Sequence, residues 1–379
     1  MKHPAILLAA LAAGAGCASV TARHIQEVEP PAHPAGVLQL VWRTTLHEHG
    51  LFEPEPEECA TAALAAGHLV IGSRAGNIVG VIPETGKIDW VTAASGGVDS
   101  TARYDAAHGQ VYVGSDDGSF YAVDPGTGAI RWTYHGKGAY ERPPEVGQDL
   151  VYAASATDRI TALEAATGKW RWQYEREMPE GFTIHGYAAP LLHGSELLAG
   201  FADGYFVSLT AATGDVVWAH SLASTSDQFV DVDTTPAVRH DLAYVSSYSG
   251  GLCAVDLHDG AVKWRLGIEG VGDVSVTDDR LFFVAPRQGI HAADLDGHVL
   301  WRQGLTAAGD LTQPRAVGRY LIFSGSRAGL FIVDRNAGGL LEVFNPGHGI
   351  CAAPLIDEAH GRLYVLSNTG SFYALDLGA

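Results

Sequence analysis

A pair of glycine turns recurs along the chain at near-constant spacing, and no other feature restricts the fold as much. The segments GQVYVGSDDGSFYAVDPGTGAIRW (109–132) and DLAYVSSYSGGLCAVDLHDGAVKW (241–264) show the unit. Two alternating strands flank one turn, a second turn follows, and a further strand ends in Trp. The first turn recurs at Gly76, Gly118, Asp158, Gly204, Gly250, Gly289, Gly329 and Gly370, eight copies 39 to 46 residues apart. Glycine suits a hairpin turn whose backbone takes positive φ, and Asp158 is the one substitute. The second turn recurs at Gly86, Gly128, Gly168, Gly214, Gly260, Gly297 and Gly338. Six of these seven are followed four residues later by Trp, at positions 90, 132, 172, 218, 264 and 301, while the seventh has Glu342.

A period near 40 with four short strands per unit is the signature of a β-propeller. The eighth unit ends before its last strand, and the N-terminal side has a spare one, VLQLVWRTTL (37–46), with Trp42 at the matching place. The expectation is therefore all-β: one eight-bladed propeller over 37–379, its last blade completed by the N-terminal strand. The Trp set is expected to pack blade against blade.

Residues ahead of the repeat form two segments. Lys2, an apolar run over 5–13 and small residues before Cys17 give 1–16 the composition of a lipoprotein signal peptide, although Gly14 stands where Leu is commonest. Cys17 is the expected lipidation site, and the Pro-rich 17–36 the expected tether. An ordinary signal peptide with Cys17 incidental is the alternative. The formal net charge of −19 opposes nucleic-acid binding and a polybasic membrane patch.

Function tends to reside where a repeat departs from its pattern. The second-turn glycines are 42, 40, 46, 46, 37 and 41 residues apart, so the two longest units are consecutive. The extra residues fall in EREMPEGFTIHGYAAP (175–190) and SLASTSDQFVDVDTTP (221–236), connections on one face of neighbouring blades. The first carries Phe182, Ile184 and His185. The second carries Asp231 and Asp233, which share a strand face. An apolar patch beside two carboxylates on a rigid rim fits a protein-binding site. The competing reading is that Asp233, like Asp99 and Asp273 at nearly equivalent positions, only bonds backbone at a strand start.

No zinc, phosphate-loop or nucleophile-elbow motif occurs, and SDDG (115–118) reads as a hairpin turn and not as a calcium loop. No catalytic residue, metal or cofactor is expected. The enzymatic alternative is a pyrroloquinoline-quinone dehydrogenase-like propeller, whose adjacent-cysteine disulfide has no counterpart here. An envelope propeller that binds another protein or a polysaccharide is a further alternative. Cys253 reads as a small buried hydrophobe. Cys59 and Cys351 occupy the same repeat position in the first and last blades, so they either form a disulfide across the ring closure or remain two buried thiols.

The segments VDVDTTP, YVSSYSGGLCAVDLHDGAVKW, DGHVLW and HGYAAP resemble the BamB family, lipoproteins of outer-membrane β-barrel assembly, over roughly 37–379. That resemblance implies a non-catalytic scaffold, lipid-anchored at the periplasmic face of the outer membrane, present as a single copy within a complex. It implies binding to the periplasmic POTRA region of BamA. By motif, the contact residues fall on Phe182, Ile184, His185, Asp231 and Asp233. The family pattern has Arg where this chain has His185, and Leu at the two apolar positions. A histidine exchanges a fixed charge for a pH-sensitive one.

Overall fold

The computed structural model describes residues 34–46, 57–177, 188–223, 229–286 and 288–378. Its strands form eight four-stranded antiparallel sheets. Blades one to seven span 63–93, 103–135, 145–175, 191–221, 237–266, 274–303 and 315–344. Blade eight takes three strands from 355–377, and Leu38–Thr45 pairs with Ser371–Leu377 to supply its fourth. This is the eight-bladed propeller expected from the repeat, closed by the N-terminal strand. Among the described residues one helical element occurs, the 3-10 turn Thr306–Ala308 between blades six and seven.

The strands follow from their sequence patterns. The second and third strands of a blade, such as Gln110–Gly114 and Ser119–Val123, are buried throughout. Each lies between two neighbouring blades, so both faces are covered and the apolar run is continuous. The outer strands are half solvated and read as mixtures, as in Ile88–Ala93. The core is divided among the blade interfaces; Tyr152, Trp172, Leu197, Phe201 and Val207, for example, join blades three and four.

One contact repeats around the ring. Trp172 of blade three donates its indole N–H to the carbonyl of Ala211 in blade four at 3.0 Å. Its ring covers Gly214, where a β-carbon would lie 2.6 Å from the indole and where φ is +77°. Trp42, Trp90, Trp132, Trp218, Trp264 and Trp301 make the same bond to Pro83, Pro125, Ala165, Leu257, Leu295 and Arg335 of the following blade. The second-turn glycine is thus a landing site for the previous blade's Trp. A register shift beside every one of these Trp residues adds a residue to the outer strand, a β-bulge that turns the indole toward the next blade.

The seam between blades seven and eight is built differently. Glu342 occupies the Trp position, and its carboxylate accepts the N–H of Val37 at 2.6 Å and of Leu38 at 3.3 Å. The residue paired with each Trp is Gly80, Ala122, Ala162, Ser208, Ala254, Ala292 or Ala374, whereas Glu342 faces Ile332.

The first turns depart from expectation in three blades. Gly76, Gly118, Asp158, Gly204 and Gly370 have positive φ as expected. In blade five the positive φ belongs to Gly251 and not Gly250. In blades six and seven Gln288 and Ala328 close the turn, and Gly289 and Gly329 come one residue later; Gly289 has positive φ, +87°, and Gly329 does not. A β-carbon at Gly251, Gly289 or Gly329 would meet the carbonyl of the facing outer strand at 2.1 to 2.2 Å. Close backbone approach explains Gly329, and close approach together with positive φ explains Gly251 and Gly289.

Candidate functional site

The connection into blade five is a strap bonded to three blades. Val232 donates its N–H to Phe201 O of blade four at 3.0 Å, and Asp231 O accepts from Tyr248 N of blade five at 3.0 Å. Thr234 Oγ1 accepts Ser246 N at 2.9 Å. Thr235 N donates to Asp273 Oδ1 of blade six at 2.7 Å. Gly200 must lack a side chain because a β-carbon would sit 2.3 Å from Val232 O.

This geometry places the two carboxylates apart. Asp231 is buried, 2% exposed, between blades four and five. Its repeat equivalents by backbone bonding are Gly97, Ala139, Gly349 and the exposed Asp310, so a carboxylate is buried here where the other blades place a Gly, an Ala or an exposed Asp. Asp233 is half-buried and lines the axial channel. The two carboxylates expected to share one face are therefore one that lines the channel and one in the interior. Asp99 accepts the N–H of Cys59 at 2.8 Å, and Asp273 accepts that of Thr235. Both reach back to hold the preceding connection. Phe182, Ile184 and His185 lie outside the described residues, as does Cys17.

A charged cluster that the sequence reading missed lies at the base of both long connections. Arg176, which leads into the first, binds Asp203 at 2.5 Å and lies 4.0 Å above the ring of Tyr205. Asp158 is 2% exposed, and its carboxylate accepts Ala202 N at 2.9 Å, linking blade three to blade four. Burial pushes the Asp158 carboxyl up to about 7, with Asp203 and Asp231 adding repulsion against the Ala202 hydrogen bond and Arg176. Sequence reading treated Asp158 only as a turn residue that tolerates positive φ, which it has at 58°.

The channel along the ring axis has a volume of about 2060 Å³ and is walled by all eight blades. Its charged residues include Asp99, Glu141, Arg142, Asp233 and Asp273. Burial raises Asp99 to about 6, with the Cys59 N–H and Arg74 opposing. Asp273 is also raised by burial, while Arg142 pulls it back. A disulfide joins Cys59 to Cys351 at the channel wall, with Cα atoms 5.1 Å apart and a sequence separation of 292. Among the described residues, the one grouping with metal-ligand spacing is Glu57, Cys59 and Cys351, and its two sulfurs are bonded to each other. Residues 115–118 form the hairpin turn read from the sequence, with Asp117 accepting Ser119 N at 2.9 Å.

A family model described as "Outer membrane protein assembly factor BamB" matches residues 101–297, more than half of the chain. The chain belongs to the BamB family. The BamB of Yersinia pestis is 25% identical over 238 residues, 61% of this chain and 60% of that protein. The chain is thus matched along about 60% of the length of such curated relatives. The crystal structure of BamB from Moraxella catarrhalis superposes with a TM-score of 0.78 at 23% identity, over 90% of this chain and 100% of that one. A quinohemoprotein alcohol dehydrogenase from Comamonas testosteroni superposes at 0.73 with 14% identity, over 93% of this chain and 78% of that one. Those two likenesses bear on the fold. The family description is of an assembly factor, not an enzyme. No helix among the described residues is long and apolar enough to cross a membrane.

Proposed function

We propose that this BamB-family chain is a non-catalytic scaffold of outer-membrane β-barrel assembly. It is acylated at Cys17, tethered by 17–36 to the periplasmic face of the outer membrane, and bound through blades four and five to the POTRA region of BamA. The observation that carries this reading is that, apart from the segment 46–62 that leads from the closing strand into blade one, the two longest connections between blades are consecutive. They leave one face on adjacent blades, inside the stretch that matches the family. Phe182, Ile184 and His185 on one connection and Asp233 on the other supply the contact. Asp231 acts from beneath, because a residue 2% exposed sets the strap rather than meeting a partner.

The test is a pull-down of the periplasmic region of BamA with the soluble domain. Wild type is expected to bind. Phe182→Asp/Ile184→Asp and Asp233→Ala are expected to bind at least tenfold more weakly with unchanged melting. Asp231→Ala is expected to lower both binding and melting. Failure of wild type to bind would overturn the proposal.

A further inference from the structure

Phe229 is an anomaly at the rim of this face. It is 42% exposed, and among the described residues every other exposed large apolar side chain belongs to an outer strand. Its φ is +56°, a left-handed backbone in which the β-carbon of a bulky residue is crowded. The surroundings enforce this conformation. Ser249 N donates to Phe229 O at 3.0 Å, and Ser247 Oγ donates to Val230 O at 2.8 Å. The ring stands edge-on to Tyr248, centroids 6.0 Å apart at 61°. Tyr248 is fixed in turn, its N–H given to Asp231 O and its carbonyl taken by Gly270 N, both at 3.0 Å. Strain held in place by this many contacts is a reason to look for function.

We infer that Phe229 and Tyr248 form an aromatic anchor that receives an arginine or lysine side chain of the protein partner. The inference rests on the scaffold reading above. Continuity supports it, since Phe229 lies two residues before Asp231 on the same strap, and Tyr248 lines the axial channel, as Asp233 and Asp273 do. Charge complementarity supports it too. An aromatic pair on a strap that also carries Asp231 and Asp233, on a chain of formal charge −19, favours a cation. The chain satisfies the same chemistry internally one blade earlier, where Arg176 lies over Tyr205 while bound to Asp203. At Phe229 and Tyr248 the cation comes from outside.

Phe229→Gly separates function from stability, because glycine takes positive φ freely and removes only the ring. The full soluble domain would be titrated against the periplasmic region of BamA, with melting recorded in parallel. The expected result is melting at or above wild type with affinity reduced at least tenfold. Tyr248→Phe should retain affinity and Tyr248→Ala should lose it. Wild-type affinity should fall as salt rises from 50 to 500 mM. If wild type binds and Phe229→Gly binds equally well, the anchor is refuted while the scaffold reading stands. If Phe229→Gly loses melting temperature along with affinity, the ring is structural and the anchor is refuted. If wild type does not bind, both readings fail.

Discussion

At the scale of single residues, each blade junction except that between blades seven and eight depends on one indole and one glycine. Gly214→Ala forces a β-carbon to within 2.6 Å of Trp172 and places a non-glycine residue at φ +77°. Trp172→Ala empties the same site, and truncating a buried Trp costs about 3–5 kcal/mol. Both variants should melt below wild type. The double variant should fall short of the sum of the two, since each removes the same contact. Asp158 gives a pH test. Its carboxyl is up to about 7 when folded, from an ordinary value of 3.8. Between those values the folded protein keeps a proton that the unfolded chain has released. This group's contribution therefore favours folding at the acid end, falls as pH rises through the window, and levels off above 7. Asp99, raised to about 6, acts in the same direction over a narrower range. Asp158→Asn keeps an acceptor for Ala202 N and suits positive φ. It should melt higher than wild type at pH 8, by up to about 4 kcal/mol in stability, and converge with it near pH 4. A constant gap across that range, read by calorimetry, would show that the charge is not the cause.

At the scale of elements, the closing strand is held at one edge by a carboxylate instead of an indole. Glu342→Ala leaves the N–H of Val37 without its 2.6 Å acceptor, a loss of about 1–3 kcal/mol. Glu342→Gln keeps an acceptor and should behave close to wild type. Limited proteolysis is the readout, with cleavage within 34–46 expected to accelerate in the alanine variant well before global unfolding. A cut elsewhere first would place the weak seam at another junction. This substitution was visible in the sequence as a missing Trp, but its meaning was not. The cue lay in pairing: Ile332 opposes Glu342 where Gly, Ala or Ser opposes each Trp. The blades themselves were legible because hydrophobic alternation and glycine turns are local signals of fixed period. The roles of Asp158, Asp231 and Phe229 were not, because burial between blades and backbone conformation depend on neighbours some 20 to 45 residues distant. Asp231 and Asp233 illustrate the limit. Two residues apart on an assumed strand they share a face, yet the connection has no strand geometry, and one carboxylate enters the interior while the other lines the channel.

At the scale of the whole molecule, ring closure and orientation both follow from where the chain enters the disc. Besides Leu38–Thr45, the Cys59–Cys351 disulfide ties the connection into blade one to the connection into blade eight. A disulfide is typically worth about 2–4 kcal/mol. For a domain of this size, Cys59→Ser/Cys351→Ser should melt about 4 °C lower by calorimetry. An equal melting temperature would mean that the strand alone closes the ring. Orientation comes from register. Leu38 pairs with Leu377, and Leu46 bonds Gly370 O at the first turn, so the closing strand runs from the second-turn face to the first-turn face. The long connections leave from the first-turn face, where Arg176 N bonds Asp158 O. An anchor at Cys17 therefore joins the disc on the face opposite the proposed partner site. The stretch from Cys17 to the first described residue spans at most about 60 Å. Crossing the disc along a six-residue strand adds about 20 Å. If Cys17 is acylated as proposed, this geometry favours lipid on the second-turn side and leaves the connection face turned away from it. With the acylated protein on vesicles that carry a headgroup quencher, a dye on Lys169→Cys at a second turn should be quenched more than one on Lys137→Cys at the connection face. Equal quenching, or the reverse order, would show that the disc turns freely or lies over, and that the tether does not set how the partner is presented.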